Sequence, residues 1–282
     1  MILQYQGDAI EVMKQLIKEN VRVDFILTDP PYGTTKCKWD SVLDLEEIWK
    51  CISSIKRNEN VATLLFSQTP FDKILGASNI KELKYEWIWE KTQATGHLNS
   101  KKMPMKAHEN ILVFYEKLPF YNPQKTQGHE RKVSSSSHKV NCKKTEVYGE
   151  HGLTSYNSTE RYPRDVLKYP TDKQKKALHP TQKPVALLEY FLNTYTKEGD
   201  WVLDFTSGSG SLGEACLNTN RNCILIEKYD EWIEVSKNRL GESLILGGGG
   251  INSHLFNFKV VFNTLQTLLL LRWYVCIKLT NK

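Results

Sequence analysis

Asp29-Pro30-Pro31-Tyr32 sets a carboxylate and an aromatic ring on either side of two consecutive prolines. The prolines fix φ and remove two backbone donors, so the segment is a stiff loop that cannot extend a sheet. Such a frame suits the activation of an amino group on an aromatic ring, a poor nucleophile because its lone pair is delocalised. A carboxylate (Asp29) and a backbone carbonyl (Pro30) can accept its two N–H bonds and leave the lone pair to attack. The Tyr32 ring can stack on the flat base, a contact worth roughly 1–3 kcal/mol. The plainer alternative is a Pro-Pro loop with a solvated aspartate and a packing tyrosine.

A second group of residues forms a cradle. Gly208-Ser209-Gly210-Ser211-Leu212-Gly213 satisfies G-x-G-x-x-G, and Glu227 follows Gly208 by 19 residues. This pattern alone also fits a nicotinamide dinucleotide. Asp204, just ahead of the glycines, argues for S-adenosylmethionine, since a strand-end carboxylate can meet an ammonium group. A pyrophosphate instead wants backbone N–H groups with no acid beside it. Glu227 would accept ribose hydroxyls in either case.

The elements that must position these groups follow from hydrophobic periodicity. Ile2 to Gln6 alternate as a strand, and Ala9 to Lys18 form a helix for which Asp8 is a candidate N-cap. Phe25-Ile26-Leu27 is a buried strand running into the Asp29 loop, and residues 34–42 read as a mobile loop over the site. Leu43–Ile55 is an amphipathic helix, Val61–Phe66 a strand, and a helix opens at Pro70. Tyr85–Glu90 and Asn110–Tyr115 are strands expected to pair antiparallel. Pro184 opens a helix; Trp201–Phe205 and Asn222–Glu227 are strands, each followed by a helix ending near Leu217 and Leu240. Asp8, Asp29, Asp204 and Glu227 therefore sit at the carboxyl ends of four predicted strands, the edge where open α/β sheets bind ligands.

Charge is unevenly placed. Residues 91–183 hold 18 basic and 8 acidic side chains, and the remainder 20 and 24, within a net charge of +6. A basic segment on a near-neutral body points to a polyanion partner. The six cysteines show no CxxC pair, so reduced thiols in the cytoplasm are expected, without zinc site or disulfide framework. The N-terminus lacks the pattern of a signal peptide, and no apolar run reaches the length of a membrane span.

Thr28-Asp29-Pro30-Pro31-Tyr32-Gly33 resembles motif IV of the DNA amino-methyltransferases, the (Asp/Asn/Ser)-Pro-Pro-aromatic signature, in the Asp form commonest among adenine-N6 enzymes. Asp204 to Ser211 resembles motif I, usually Asp-Pro-Phe-x-Gly-Ser-Gly-Thr, with Phe205-Thr206 in place of Pro-Phe and Ser211 in place of Thr. His179-Pro180-Thr181-Gln182-Lys183-Pro184 resembles motif X, which in the family lines the methionine end of the cofactor. Trp89-Glu90-Lys91 with Lys101-Lys102-Met103-Pro104 matches the surroundings of motif VIII, placed near the target base or its phosphates. Motif IV before X and I, with the basic segment between, is the order of the β group.

The resemblance implies an α/β, Rossmann-like mixed sheet with helices on both faces and an inserted basic target-recognition region. It divides the chain into a catalytic half (1–116), the insert (117–178), a cofactor-binding half (179–240) and an atypical tail (241–282), to which no function is assigned. It implies a site-specific adenine-N6 methyltransferase acting on flipped bases of double-stranded DNA, without metal, in a phage or restriction–modification setting with a cognate restriction endonuclease. Asp29, Pro30, Pro31 and Tyr32 would be catalytic. Asp8, Lys183, Asp204, Thr206, Gly208, Ser209, Gly210 and Glu227 would bind S-adenosylmethionine. Cytosine-N4 methylation and a non-catalytic DNA-binding relative stay open. A protein-glutamine methyltransferase would use Asn-Pro-Pro-Tyr.

Overall fold

The computed structural model describes residues 1–33, 43–134, 156–171 and 182–247, with the backbone alone of 144–145 and 149–150. The first five strands are β1 (Ile2–Gln6), β2 (Phe25–Thr28), β3 (Thr63–Ser67), β4 (Leu83–Thr95) and β5 (Lys106–Phe114). Two small pairs follow, β6 (Lys132–Val133) with β9 (Asn157–Ser158) and β7 (Lys144–Thr145) with β8 (Gly149–Glu150). Then come β10 (Val166–Tyr169), β11 (Trp201–Asp204), β12 (Asn222–Glu227) and β13 (Leu244–Leu246). Nine of them form one mixed sheet in the order β10-β4-β5-β3-β2-β11-β12-β1-β13. β5 runs antiparallel to both its neighbours, and the other pairings are parallel.

The inner strands are apolar on both faces, the mark of a sheet covered on both sides. Phe25 and Leu27 of β2 face one core with Leu64 and Phe66 of β3, Val202 of β11 and Leu225 of β12; Ile26, Leu65, Leu203 and Ile224 face the other. Helices α1 (Ala9–Lys18), α2 (Leu45–Ile55) and α3 (Phe71–Ser78) cover the second face. Helices α4 (Val185–Tyr195), α5 (Ser211–Asn218) and α6 (Asp230–Leu240) cover the first. Side-chain caps start two of them: Asp8 accepts from Ile10 N (3.0 Å) and Asp44 from Glu46 N (3.0 Å) and Glu47 N (3.2 Å).

Three differences from the sequence expectations matter. The Trp89-Glu90-Lys91 segment lies inside the 13-residue β4 and not at a strand end. Within 117–178, read as an insert, Val166–Tyr169 is an edge strand of the main sheet, paired with β4. Only Leu167 and Tyr169 of that strand pack on the core, too short an alternation to register in the sequence. Residues of the tail enter the fold as well: Leu244–Leu246 pairs parallel with β1. The loop 34–42, the start of the motif X resemblance (His179–Thr181) and 248–282 lie outside the described residues.

Candidate active site

The sheet order sets β2 beside β11, with Val202 opposite Phe25 and Leu203 opposite Ile26. Asp204 and the loop after Thr28, 176 residues apart in sequence from strand end to strand end, thereby become neighbours. Thr28 Oγ1 donates to Asp204 Oδ1 (2.6 Å), as does Thr206 N (3.1 Å). Thr206 Oγ1 donates to the Asp29 carbonyl (3.0 Å) and lies 2.8 Å from Thr28 Oγ1. Thr206 thus ties the glycine loop to the Pro-Pro loop. Asp204 is 7% exposed, and burial pushes its carboxyl up to about 7 against the two hydrogen bonds, with the nearby Asp29 and Glu227 adding to the shift.

The glycine loop turns over the end of β11. Gly208 (φ +50°) and Gly210 (φ +75°) adopt left-handed backbone, where a side chain is strained. A Cβ on Gly210 would also lie 2.8 Å from Ser236 Oγ, so the close packing of α5 on α6 requires glycine. Gly208 N donates to Glu227 Oε2 (2.8 Å), while Lys228 N and Tyr229 N donate to Oε1 (2.8 and 2.9 Å). Three backbone amides therefore aim the Glu227 carboxylate, and burial still holds its pKa above the ordinary value. Gln6 pairs in register with Glu227, which sets Asp8 at the same edge, both capping α1 and facing Lys228 Nζ at 3.4 Å.

In the Pro-Pro loop, Tyr32 OH donates to Asp29 Oδ1 (2.6 Å), and the ring stacks on Phe71 at 5.4 Å and 26°. Lys183 Nζ donates to Asp29 Oδ2, and is also 3.3 Å from Glu109 Oε2. Glu109 Oε1 accepts from Gln68 Nε2 (3.0 Å) and pairs with Lys91 Nζ (2.6 Å). Burial pushes the Asp29 carboxyl up and Glu109 reinforces this, while Lys183 and Tyr32 oppose it. For Lys183, burial is outweighed by Asp29 and Glu109, so its ammonium stays charged.

All the sequence-predicted residues but Gly210 line one cavity of ≈ 490 Å³. Gly210 sits behind it at the head of α5. Lys183, placed by resemblance at the methionine end of the cofactor, lines this cavity and is buried against Asp29. Lys91, placed near the target base or its phosphates, is buried against Glu109 and beside the Trp89 ring (5.1 Å). Sequence reasoning missed Thr28, Gln68 and Glu109. A signal existed for Glu109: it shares the inward parity of Ile111 and Val113 in β5, where an acid needs a reason.

The model of the DNA methylase family, the N6 and N4 methyltransferases, matches residues 23–238. The chain belongs to this DNA methylase family. Over 247 residues the methylase is 28% identical to type II methyltransferase M.HpaI of Haemophilus parainfluenzae, covering 83% of this chain and 72% of that one. Over 249 residues it is 26% identical to DNA adenine methyltransferase YhdJ of Escherichia coli (strain K12), covering 83% and 81%. Its fold matches the crystal structure of the M1.HpyAVI–SAM complex with a TM-score of 0.58 and 27% identity, over 85% of this chain and all of that one.

The methylase's own cavity fits S-adenosylmethionine, the methyl donor of such enzymes. Its volume falls within the roughly 300–1,000 Å³ of small-molecule sites. Asp204 offers a carboxylate to an ammonium, and Glu227 offers acceptor oxygens to a ribose diol. Ser207 Oγ is buried in the wall with no hydrogen-bond partner among the described residues, an orphaned group of the kind a ligand satisfies. Among the described residues no helix is long and apolar enough to cross a membrane.

Proposed function

We propose that this DNA methyltransferase modifies adenine at N6 in duplex DNA, and that Asp29 is the acceptor that activates the amino group. The proposal stands on the Asp29 carboxylate, held by the Tyr32 hydroxyl and the Lys183 ammonium, lining one cavity together with Asp8, Asp204 and Glu227. Bound S-adenosylmethionine supplies an electrophilic methyl group.

The target base must leave the helix to reach this depth, at a cost of a few kcal/mol. Tyr32 is backed by Phe71, so a base stacking on it meets a supported ring. Asp29 and the Pro30 carbonyl accept the two amino hydrogens, which frees the nitrogen lone pair. The same carboxylate is placed to take the proton that the nitrogen gives up. Catalysis of this kind rests on positioning and pre-set electrostatics.

Asp204 holds the ammonium end of the cofactor, Glu227 the ribose, and the Gly208–Gly210 turn allows close backbone approach. Thr206 acts between the two halves through its bond to the Asp29 carbonyl. Exposed Lys101, Lys102, Arg131, Lys132 and Arg164 in the basic segment supply phosphate contacts. A type II setting, with a cognate endonuclease cutting the unmethylated site, accords with the likeness to M.HpaI.

Asp in front of Pro-Pro-Tyr and the likeness to YhdJ favour adenine over cytosine. The test is incubation of the purified protein with methyl-labelled S-adenosylmethionine and mixed-sequence duplex DNA, followed by nucleoside separation. Label in N6-methyladenine is expected. Label in N4-methylcytosine would replace the base, and label in neither would contradict the proposal.

A further inference from the structure

Beside Asp29 runs a chain of buried charge, Asp29, Lys183, Glu109, Lys91, the first three of which line the cavity. Lys183 is 7% and Glu109 6% exposed, and the Lys91 side chain 8%. Trp89 of β4 pairs in register with Glu109 of β5, and Lys91, two residues on, faces the same side and reaches Glu109 Oε1 at 2.6 Å. Gln68, just past β3, donates to the same oxygen at 3.0 Å. The Phe66 ring lies 5.1 Å from the Lys183 ammonium and the Trp89 ring 5.1 Å from that of Lys91, so both cations rest on aromatic faces.

Any of these groups buried alone would be costly, and a chain this deep needs matched charge. Two acids alternating with two bases achieve it. Stability alone would be served as well by apolar residues of similar volume, so the charges call for another role. Their end at Asp29 supplies one. Lys183 alone would draw Asp29 into a closed ion pair and neutralise the carboxylate. Glu109 shares that ammonium from its other side, and Lys91 in turn offsets Glu109.

We propose that Glu109 and Lys91 are positioning residues for methyl transfer: through Lys183 they fix the orientation of the Asp29 carboxylate and set how much of its negative charge faces the amino group. This rests on the reading of Asp29 as the amino acceptor. The charged and titratable groups bearing on Asp29 are Tyr32 of its own loop, Lys183 of the segment before α4, Glu109 of β5, Lys91 of β4 and Asp204 of β11. Lys106 lies further off, behind Gln68 (3.3 Å).

The sign of each perturbation follows. Removing the charge of Glu109 leaves Lys183 to Asp29 alone, favours the ionised carboxylate and lowers the pH at which it protonates. Removing the charge of Lys91 leaves the chain one negative charge in excess and raises that pH. A merely structural role predicts no such opposition.

The experiment uses the full chain with Glu109→Gln, Lys91→Met and Lys91→Arg, measuring kcat for plasmid DNA against pH together with S-adenosylmethionine affinity. Glu109→Gln is expected to lower plateau kcat at least about tenfold and to move the acid limb down. Lys91→Met should move the limb up by about half a pH unit or more and recover toward the plateau at high pH. Lys91→Arg should keep the wild-type limb, and cofactor affinity should hold within about twofold throughout. Limbs that stay put or move in the same direction, with cofactor binding intact, would overturn the proposal. So would a variant that loses cofactor binding and turnover together, since its role is then structural. An inactive wild-type protein in the same assay would instead refute the methyltransferase reading itself.

Discussion

The most exposed consequence of the site concerns Asp204 and pH. This carboxyl is buried at the end of β11, and its pKa is pushed up to about 7 from an ordinary 3.8. A cationic ligand meets the ionised form, so binding must release a proton wherever the free protein holds one. With a free-state value near 7, the share of S-adenosylmethionine affinity that comes from ionised Asp204 should be close to its limit at pH 8. It should fall about twofold at pH 7, roughly tenfold at pH 6 and roughly a hundredfold at pH 5. Glu227 is shifted in the same direction and can only steepen the fall. Above pH ~8 affinity should decline again as the α-amino group of the ligand loses its proton.

The same shift bears on the free protein. A carboxyl whose folded pKa is raised binds more protons folded than unfolded, so stability is lost as pH rises from about 4 to about 7. The loss is on the order of 4 kcal/mol for this group. The rise in Tm given by saturating cofactor should accordingly be larger at pH 8 than at pH 6. The assay is a titration followed by the fluorescence of Trp232, which lines the cavity, from pH 5.5 to 8.5, with proton release read calorimetrically in two buffers. Asp204→Asn should bind about 10–100-fold more weakly at pH 8 and lose most of the slope. Constant affinity from pH 8 to 5.5 in a protein that stays folded, or an unchanged slope in Asp204→Asn, would refute the assignment of Asp204 to the ammonium.

Other outcomes are equally specific. Asp29→Ala should lower kcat by at least about 10³-fold while leaving cofactor affinity nearly intact; equal loss of both would contradict the separation of roles. Gly210→Ala should cost about 1–3 kcal/mol, because its φ of +75° and the approach to Ser236 disfavour any side chain, and thermal unfolding with and without cofactor would read it. Phe25→Ala, which empties a fully buried site stacked on Tyr195 at 5.5 Å, should cost about 3–5 kcal/mol in denaturant unfolding. DNA affinity should fall linearly with the logarithm of salt concentration, given the basic segment, and a flat response would argue against phosphate binding there.

The gathering of Asp8, Asp29, Asp204 and Glu227 at one cavity was largely legible because each acid stands at or just past the end of an apolar strand, and parallel strands share one edge. Phe25–Leu27 and Asn222–Glu227 announce themselves as buried strands, and Asp8 and Asp204 follow from where β1 and β11 end. The neighbours in the sheet were not legible: that Thr28 bonds Asp204, or that Thr206 bonds the Asp29 carbonyl, depends on β2 lying beside β11. The buried chain was hidden for the same reason. Glu109, Lys91 and Lys183 come from three elements, and although inward parity marks Glu109 alone as buried, only cross-strand register brings the three together. The edge strands β10 and β13 escaped because an edge buries one face over three or four residues, too few for a period.

The central claim is that the Asp29 loop presents an amino-bearing base of DNA to the cofactor. Its most direct test is nucleoside mass spectrometry on plasmid DNA from cells expressing the chain, with Asp29→Ala as control. N6-methyladenine above background is expected with the intact chain and none with the variant. Equal N6-methyladenine from both would contradict the role of Asp29, and no methylated base from a folded protein that binds S-adenosylmethionine would contradict the proposed reaction.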